Sequence, residues 1–347
     1  MLGSGAVALA LVVVSLALFT LWRTRAIEAR FVPRGELVAL EGGVVHIVER
    51  LAIGGQRGAI LLMHGASGNH ADMLNALGEP LAAQGFRVLA IDRPGHGWSS
   101  RFAGRKASSP AMQAAIIRAA LARKGVNSAV VVAHSLAGAI ALAMALDAPH
   151  FVRGLALLSP VSHPWPGGVA YYYRLAANPW VGAAFRRLLV MPIGQRLLPG
   201  AVAGVFAPNL APADYIEATG LPLVLRPAHY KANAEDVVDL KANITNQCRR
   251  YREIRTPTAI VSGDRDRIVY AHIHSAGCAR DISGAVLTTL NGIGHSPHYS
   301  APEAVVAAIV EVAGRAEAEE AVTSGRGAER AALARSGRGS RGDVQLG

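Results

Sequence analysis

From about Gly35 onward, short apolar runs alternate with helix-patterned stretches, and this limits the possible folds more than any other feature of the chain. Runs at residues 59–63, 87–91, 129–133, 154–159, 258–262 and 285–290 are brief and mostly apolar, as strands covered on both faces must be. Ser109-Pro110 reads as an N-cap with proline at the first helical position, and that helix should stop at Gly125 after Arg123 and Lys124. Ahead of these runs, residues 36–40 and 44–49 flank Glu41-Gly42-Gly43, the pattern of a hairpin. Such alternation predicts an α/β protein with a mainly parallel, doubly wound sheet. Its strand ends converge along one edge, where folds of this kind place ligands.

The alternation breaks between about Pro160 and Tyr251, a stretch of prolines, aromatics and apolar helical pieces too long for a structureless loop. We read residues 160–251 as a helical cap inserted between two core segments, 23–159 and 252–313. Residues 314–347, rich in Gly, Ser, Arg, Ala and Glu with little to bury, are expected to be a disordered tail. At the other end, residues 2–22 carry no charge and reach the roughly 20 residues that a bilayer-spanning helix needs. Residues 1–22 are therefore read as a transmembrane anchor. A cleaved signal peptide is the competing reading, but it should open with a basic region and close on a small-residue cleavage site. Arg23, Arg25 and Arg30 follow the span, which puts the domain on the cytoplasmic side.

With 51% hydrophobic and 17% charged residues, the chain is neither disordered throughout, nor collagen-like, nor a disulfide scaffold. Its two cysteines, Cys248 and Cys278, lack C-x-x-C spacing and suggest neither a zinc knuckle nor a disulfide framework. A net charge of +11 calls for an anionic neighbour. No basic stripe interleaved with aromatics is present, so the expected neighbour is membrane lipid and not nucleic acid.

Chemistry centres on Val130-Val131-Val132-Ala133-His134-Ser135-Leu136-Ala137-Gly138. Here an apolar strand meets a serine and then a helix-forming run, which would set the Ser135 hydroxyl on a tight strand-to-helix turn. Such a turn needs small residues two before and two after the serine, and Ala133 and Ala137 stand there in place of the common glycines. The plainer alternative is that Ser135 only caps the helix. A serine nucleophile needs a base, and the base needs a carboxylate. Ser262-Gly263-Asp264-Arg265-Asp266 and Gly292-Ile293-Gly294-His295 follow the last two strands and offer both. The loop His64-Gly65-Ala66-Ser67-Gly68 can aim the Ala66 N–H, with that of Leu136, at a developing oxyanion.

These pieces, together with Asp92-Arg93-Pro94-Gly95-His96-Gly97-Trp98-Ser99, stand in an order that resembles the α/β-hydrolase family from about Val38 to Ala313. The resemblance implies Ser135 as nucleophile and His295 as base. In the family's Gly-Asp-x-Asp pattern the second aspartate usually completes the triad, which matches Asp266, while Asp264 would brace the loop. His64 and His96 are read as holding turns, and His134 as lining the pocket floor. His272, His274 and His298 lack a metal-ligand spacing, so no metal is expected, and nothing calls for a cofactor. The chain therefore reads as a membrane-anchored serine hydrolase of an ester or thioester with an apolar acyl group. Carbon-carbon bond hydrolases and perhydrolases share the triad, and a non-catalytic, membrane-tethered binding protein is the alternative from another class. Oligomeric state is left open. In the cap, residues 171–210 carry only Arg174, Arg186, Arg187 and Arg196 as charges. These either face water or lie against an anionic membrane.

Overall fold

A computed structural model describes residues 2–339. Strands β1 (Glu36–Leu40), β2 (Gly43–Arg50), β3 (Ala59–Met63), β4 (Arg87–Ile91), β5 (Ala129–His134), β6 (Val152–Leu158), β7 (Thr258–Gly263) and β8 (Val286–Leu290) form one sheet. Its order is β1-β2-β4-β3-β5-β6-β7-β8. The β1-β2 hairpin adds antiparallel to β4, and every other pairing is parallel. Each apolar run found in the sequence is a strand here, displaced by no more than two residues at an end.

Helices follow in the order α1 (Leu2–Arg30), α2 (His70–Ala83), α3 (Pro110–Arg123) and α4 (Ala137–Asp147). Between β6 and β7 come α5 (Tyr171–Ala177), α6 (Gly182–Phe185), α7 (Met191–Phe206), α8 (Tyr215–Ala218) and α9 (Pro227–Gln247). The chain closes with α10 (His274–Asp281), α11 (Pro297–Ser300) and α12 (Pro302–Gly339). Helix α3 starts where its cap residues predict, the Ser109 side chain accepting from the Met112 N–H.

The period-two side-chain alternation of β5 explains why the sheet is covered on both faces. Ala129, Val131 and Ala133 join a core with Ile117 and Leu121 of α3 and Ile140 and Leu142 of α4. Val130 and Val132 point the other way, into a core with Leu74, Leu77 and Leu81 of α2 and Val305 and Ile309 of α12. Burying one such side chain fully is worth about 1.5–3 kcal/mol. Every residue of β5 is buried, so a polar substitution at any of residues 129–133 disrupts one of the two cores.

The tail differs from expectation. Helix α12 continues to Gly339, where disorder was expected from Gly314, and residues 340–347 of that expectation lie outside the described residues. Val312, Ala313 and Ala316 are buried, Arg315 donates to the carbonyls of Gly284 and Thr258, and Arg57 pairs with Glu317 at 3.2 Å. Low apolar content reads as disorder in a sequence, but Ala, Glu and Arg are also strong helix formers. A helix already docked through Val305 and Ile309 has its nucleation cost met.

Among the described residues two helical runs are long and apolar enough to cross a membrane by length and composition: Ser4–Arg30 and Gly182–Phe206. Only the first was read from the sequence. The second comprises α6, a π-helical turn at Arg186–Val190 and α7, and it is packed along one face, where Val190, Met191, Val202 and Phe206 are buried.

Candidate active site

Ser135 sits between β5 and α4 with φ of 55°, a left-handed conformation that costs a non-glycine residue of order 1 kcal/mol or more. Three backbone bonds hold it there: its N–H donates to the Leu158 carbonyl and its carbonyl accepts from the N–H groups of Gly138 and Val161, all at 2.9 Å. Ala133 and Ala137 are fully buried, leaving no room for larger side chains beside the turn. A Cβ on Gly138 would lie 2.6 Å from that of Pro160, so the helix needs glycine to approach the loop after β6.

The three polar residues singled out in the sequence meet at this turn. His295 Nε2 lies 3.0 Å from Ser135 Oγ, and His295 Nδ1 lies 2.8 Å from Asp266 Oδ2. The other Asp266 oxygen accepts the N–H groups of Ile268 and Val269 at 2.8 and 2.9 Å. Burial pushes the Asp266 carboxyl up, but the His295 bond and these two N–H donors outweigh it and hold its pKa below the usual value. Asp264 has a different task. Its Oδ1 accepts the Gly292 N–H at 2.7 Å and so ties the β7 loop to the turn that leads to His295.

Ala66 and Leu136 both line the space beside Ser135. Among the described residues neither backbone N–H has a hydrogen-bond partner. A pair of unpartnered N–H groups beside a serine hydroxyl is what a developing oxyanion would need. The loop bearing Ala66 is pressed onto the serine, since a Cβ on Gly65 would stand 2.9 Å from that of Ser135.

Two cavities flank the serine. One, of about 420 Å³, is lined by Leu198, Val202 and Phe206 of α7 with Leu221 and Val224. The other, of about 610 Å³, is lined by Val161, Trp165, Val237, Leu240 and Tyr270. Ala66, Ser135, Tyr172, Tyr173, Val205 and Ile268 border both. The arrangement thus offers mostly apolar room on either side of one hydroxyl.

One pairing beside the site escaped the sequence reading. Arg93 is fully buried and donates to the carbonyls of His64 and Gly65, to Gln113 and, at 2.7 Å, to Asp236 of α9. It fastens the Ala66 loop to the inserted helices. The residue was visible in Asp92-Arg93-Pro94-Gly95, but nothing local marks Asp236 as its partner. His64 and His96 do hold turns, through the carbonyls of Gly65 and Pro94. His134 borders the smaller cavity and approaches the carbonyl of His295 at 2.9 Å through Nε2. Burial drives its pKa well below the usual histidine value, so the ring is neutral and Nε2 is the donor.

Behind His295, Asp72, His134 and His298 bring three ligand-type atoms within 4.8 Å of one another. Tyr215 donates to Asp72 at 2.8 Å, and His298 Nε2 stands 3.6 Å from the same carboxylate. His274 lies elsewhere, its Nδ1 accepting the N–H groups of Ser162 and His163. His274 and His298 are therefore parts of separate structures.

An eight-stranded, mainly parallel sheet covered by helices on both faces, with a serine on the turn after its central strand, defines a hydrolase fold. The chain belongs to the alpha/beta hydrolase fold family, whose model matches residues 58–302. An uncharacterized protein of Mycobacterium bovis is 30% identical over 262 residues, 72% of this chain and 73% of that one. A dihydrolipoyllysine-residue acetyltransferase component of an acetoin cleaving system from Cupriavidus necator is 39% identical over 109 residues, 31% of this chain. That match spans only 28% of the relative's own length. Among solved structures, an N-acyl homoserine lactone degrading enzyme superposes with a TM-score of 0.57 at 25% identity, over 78% of this chain and 96% of that one. An enol-lactonase from Burkholderia xenovorans shares the fold with a TM-score of 0.61 at 18% identity, over 80% and 99% of the two chains.

Proposed function

We propose that the protein is a membrane-anchored serine hydrolase that cleaves a carboxylic ester or thioester of an apolar acyl group through an acyl-enzyme intermediate. The observation that carries this reading is the unbroken hydrogen-bond chain Ser135–His295–Asp266, set between two largely apolar cavities.

In the reaction, His295 Nε2 takes the Ser135 proton as Oγ attacks the acyl carbonyl. Asp266 keeps the Nδ1 proton in place and stabilises the imidazolium so formed. The N–H groups of Ala66 and Leu136 receive the oxyanion, each donor being worth on the order of 100- to 1000-fold in rate. The tetrahedral species collapses, His295 protonates the departing alcohol or thiol, and Ser135 is left acylated. Water, deprotonated by His295, then attacks the acyl-enzyme and releases the acid. A lactone is an internal ester and needs the same steps, so the lactone-degrading structural neighbour fits this reading. Helix α1 supplies the anchor, with Arg23, Arg25 and Arg30 on the cytoplasmic side.

A fluorophosphonate probe tests the proposal. Wild type should label covalently and Ser135→Ala should not; no labelling of folded wild type by any such probe refutes the reading. A panel of esters, lactones and thioesters of increasing chain length then reads out the substrate.

A further inference from the structure

The helical run Gly182–Phe206 has two unlike faces. Its inner face supplies Leu198, Val202 and Val205 to the cavity beside Ser135. Its outer face presents Leu189, Ile193 and Leu197, which are 40%, 47% and 62% exposed and recur every four residues, so they form one stripe. Trp180 and Tyr171, at 89% and 79% exposure, carry the same apolar character onto the neighbouring turns. The charges within the run are Arg186, Arg187 and Arg196, all basic. A stripe of this kind is uncommon on a surface that meets only water.

Helix α1 indicates what covers it. Phe19 and Ile27 pack with Val190, Met191 and Leu223–Leu225, and the Arg23 guanidinium reaches the Gln195 amide oxygen at 2.9 Å, in the amide orientation that satisfies both groups. Phe19 lies inside the uncharged stretch 2–22, three residues before Trp22, or about 4.5 Å deeper along the helix axis at 1.5 Å per residue. A helical run held at that height stands at the level where α1 passes from hydrocarbon to headgroups. Basic side chains there face anionic headgroups, while Trp180 and Tyr171 are residue types that favour the interface.

We infer that the outer face of Gly182–Phe206 rests on the anionic bilayer that α1 enters, and that lipid-dissolved substrate reaches Ser135 past this run without crossing bulk water. The route for substrate rests on the hydrolase reading; the contact with lipid does not.

The test uses the full chain in nanodiscs. Cys248, which is partly exposed, is replaced by serine, and Cys278 is buried. A fluorophore is placed at Ile193→Cys, Leu197→Cys or Arg255→Cys, the last just before β7 at the opposite edge of the sheet from the run. With brominated phosphatidylcholine and phosphatidylglycerol, labels at 193 and 197 should be quenched and the label at 255 should not. Equal behaviour at all three positions overturns the inference, as does cross-linking through position 197 between two copies with no quenching. Equal quenching in discs without phosphatidylglycerol overturns the part assigned to the arginines.

Ile193→Glu/Leu197→Glu in the anionic discs reads the route. It should lower kcat/KM for a long-chain ester dissolved in the disc by roughly tenfold or more, the scale of one leucine-sized contact with hydrocarbon. Turnover of p-nitrophenyl acetate from water should stay unchanged. An equal fall for both substrates refutes the route. If wild type turns over neither ester, the hydrolase reading fails, while the quenching pattern still decides the contact.

Discussion

Replacing Asp266 by asparagine separates a triad carboxylate from a loop brace, and the structure fixes which way the new amide must turn. One Asp266 oxygen accepts two backbone N–H groups, from Ile268 and Val269, and the other faces His295 Nδ1 at 2.8 Å. If the amide oxygen takes the His295 side, its NH2 confronts two N–H donors, and each donor left unsatisfied costs about 1–3 kcal/mol. The amide oxygen therefore stays on the N–H pair and the NH2 turns to His295. Nδ1 must then accept, which moves the ring proton to Nε2, the atom that should receive the proton of Ser135. That tautomer cannot act as base, and the expected loss in kcat is about ten-thousand-fold, or about 5.5 kcal/mol in the barrier. Asp264→Asn serves as the control, because its bond is to the Gly292 N–H and an amide oxygen can keep it. Steady-state turnover of a short soluble ester, with urea unfolding to confirm that both variants fold, measures the contrast. Asp266→Asn retaining a tenth or more of wild-type kcat, or Asp264→Asn falling below a tenth of it, would reverse the assignment.

Further predictions rest on equally local geometry. Gly65→Ala places a methyl 2.9 Å from the Ser135 Cβ and 3.2 Å from His134 Nδ1. It should displace the Ala66 N–H and cost about 100- to 1000-fold in kcat, as loss of one oxyanion donor does, with the unfolding midpoint little changed; full activity would remove Ala66 from the mechanism. Asp236→Ala strands the fully buried Arg93 and should destabilise the protein by about 3–5 kcal/mol, read from urea unfolding; a loss below 1 kcal/mol would show the pair to be dispensable. Stability should fall on mild acidification. Burial lowers the pKa of His64 to about 3 and of His274 to about 4, and holds those of His96, His134 and His229 well below the usual value. The unfolded chain thus binds more protons than the native one below about pH 6.5, and the stability present above that pH is lost as pH falls toward the native values. The melting temperature should drop steadily from pH 7 to 5, before the carboxylates titrate, and a flat profile would contradict the assignment.

Much of the fold was legible because its cause is local. Val130-Val131-Val132 is a β-branched apolar run of strand length, and Ser109 caps its helix with its own side chain. Asp266 could be preferred to Asp264 only through a family pattern, since both lie on one loop and the choice depends on where His295 arrives. Nothing near Asp72 announces that His298 and Tyr215 gather around it, because those residues come from three separate parts of the chain. The tail was misread for a related reason: a chain with little to bury looks disordered until the residues ahead of it have docked and begun the helix.

Local sequence sets the strands, their coverage on both faces, the small residues around Ser135 and the charge-free N-terminal helix. Each follows from periodicity, backbone sterics or residue size within a few positions. The folded chain was needed to show that Arg93 reaches Asp236, that Asp266 and not Asp264 meets His295, and that Gly182–Phe206 turns one apolar face to the serine and another outward beside α1. Those are contacts between segments distant along the chain, and their pairing exists only once the sheet has brought its strand ends together.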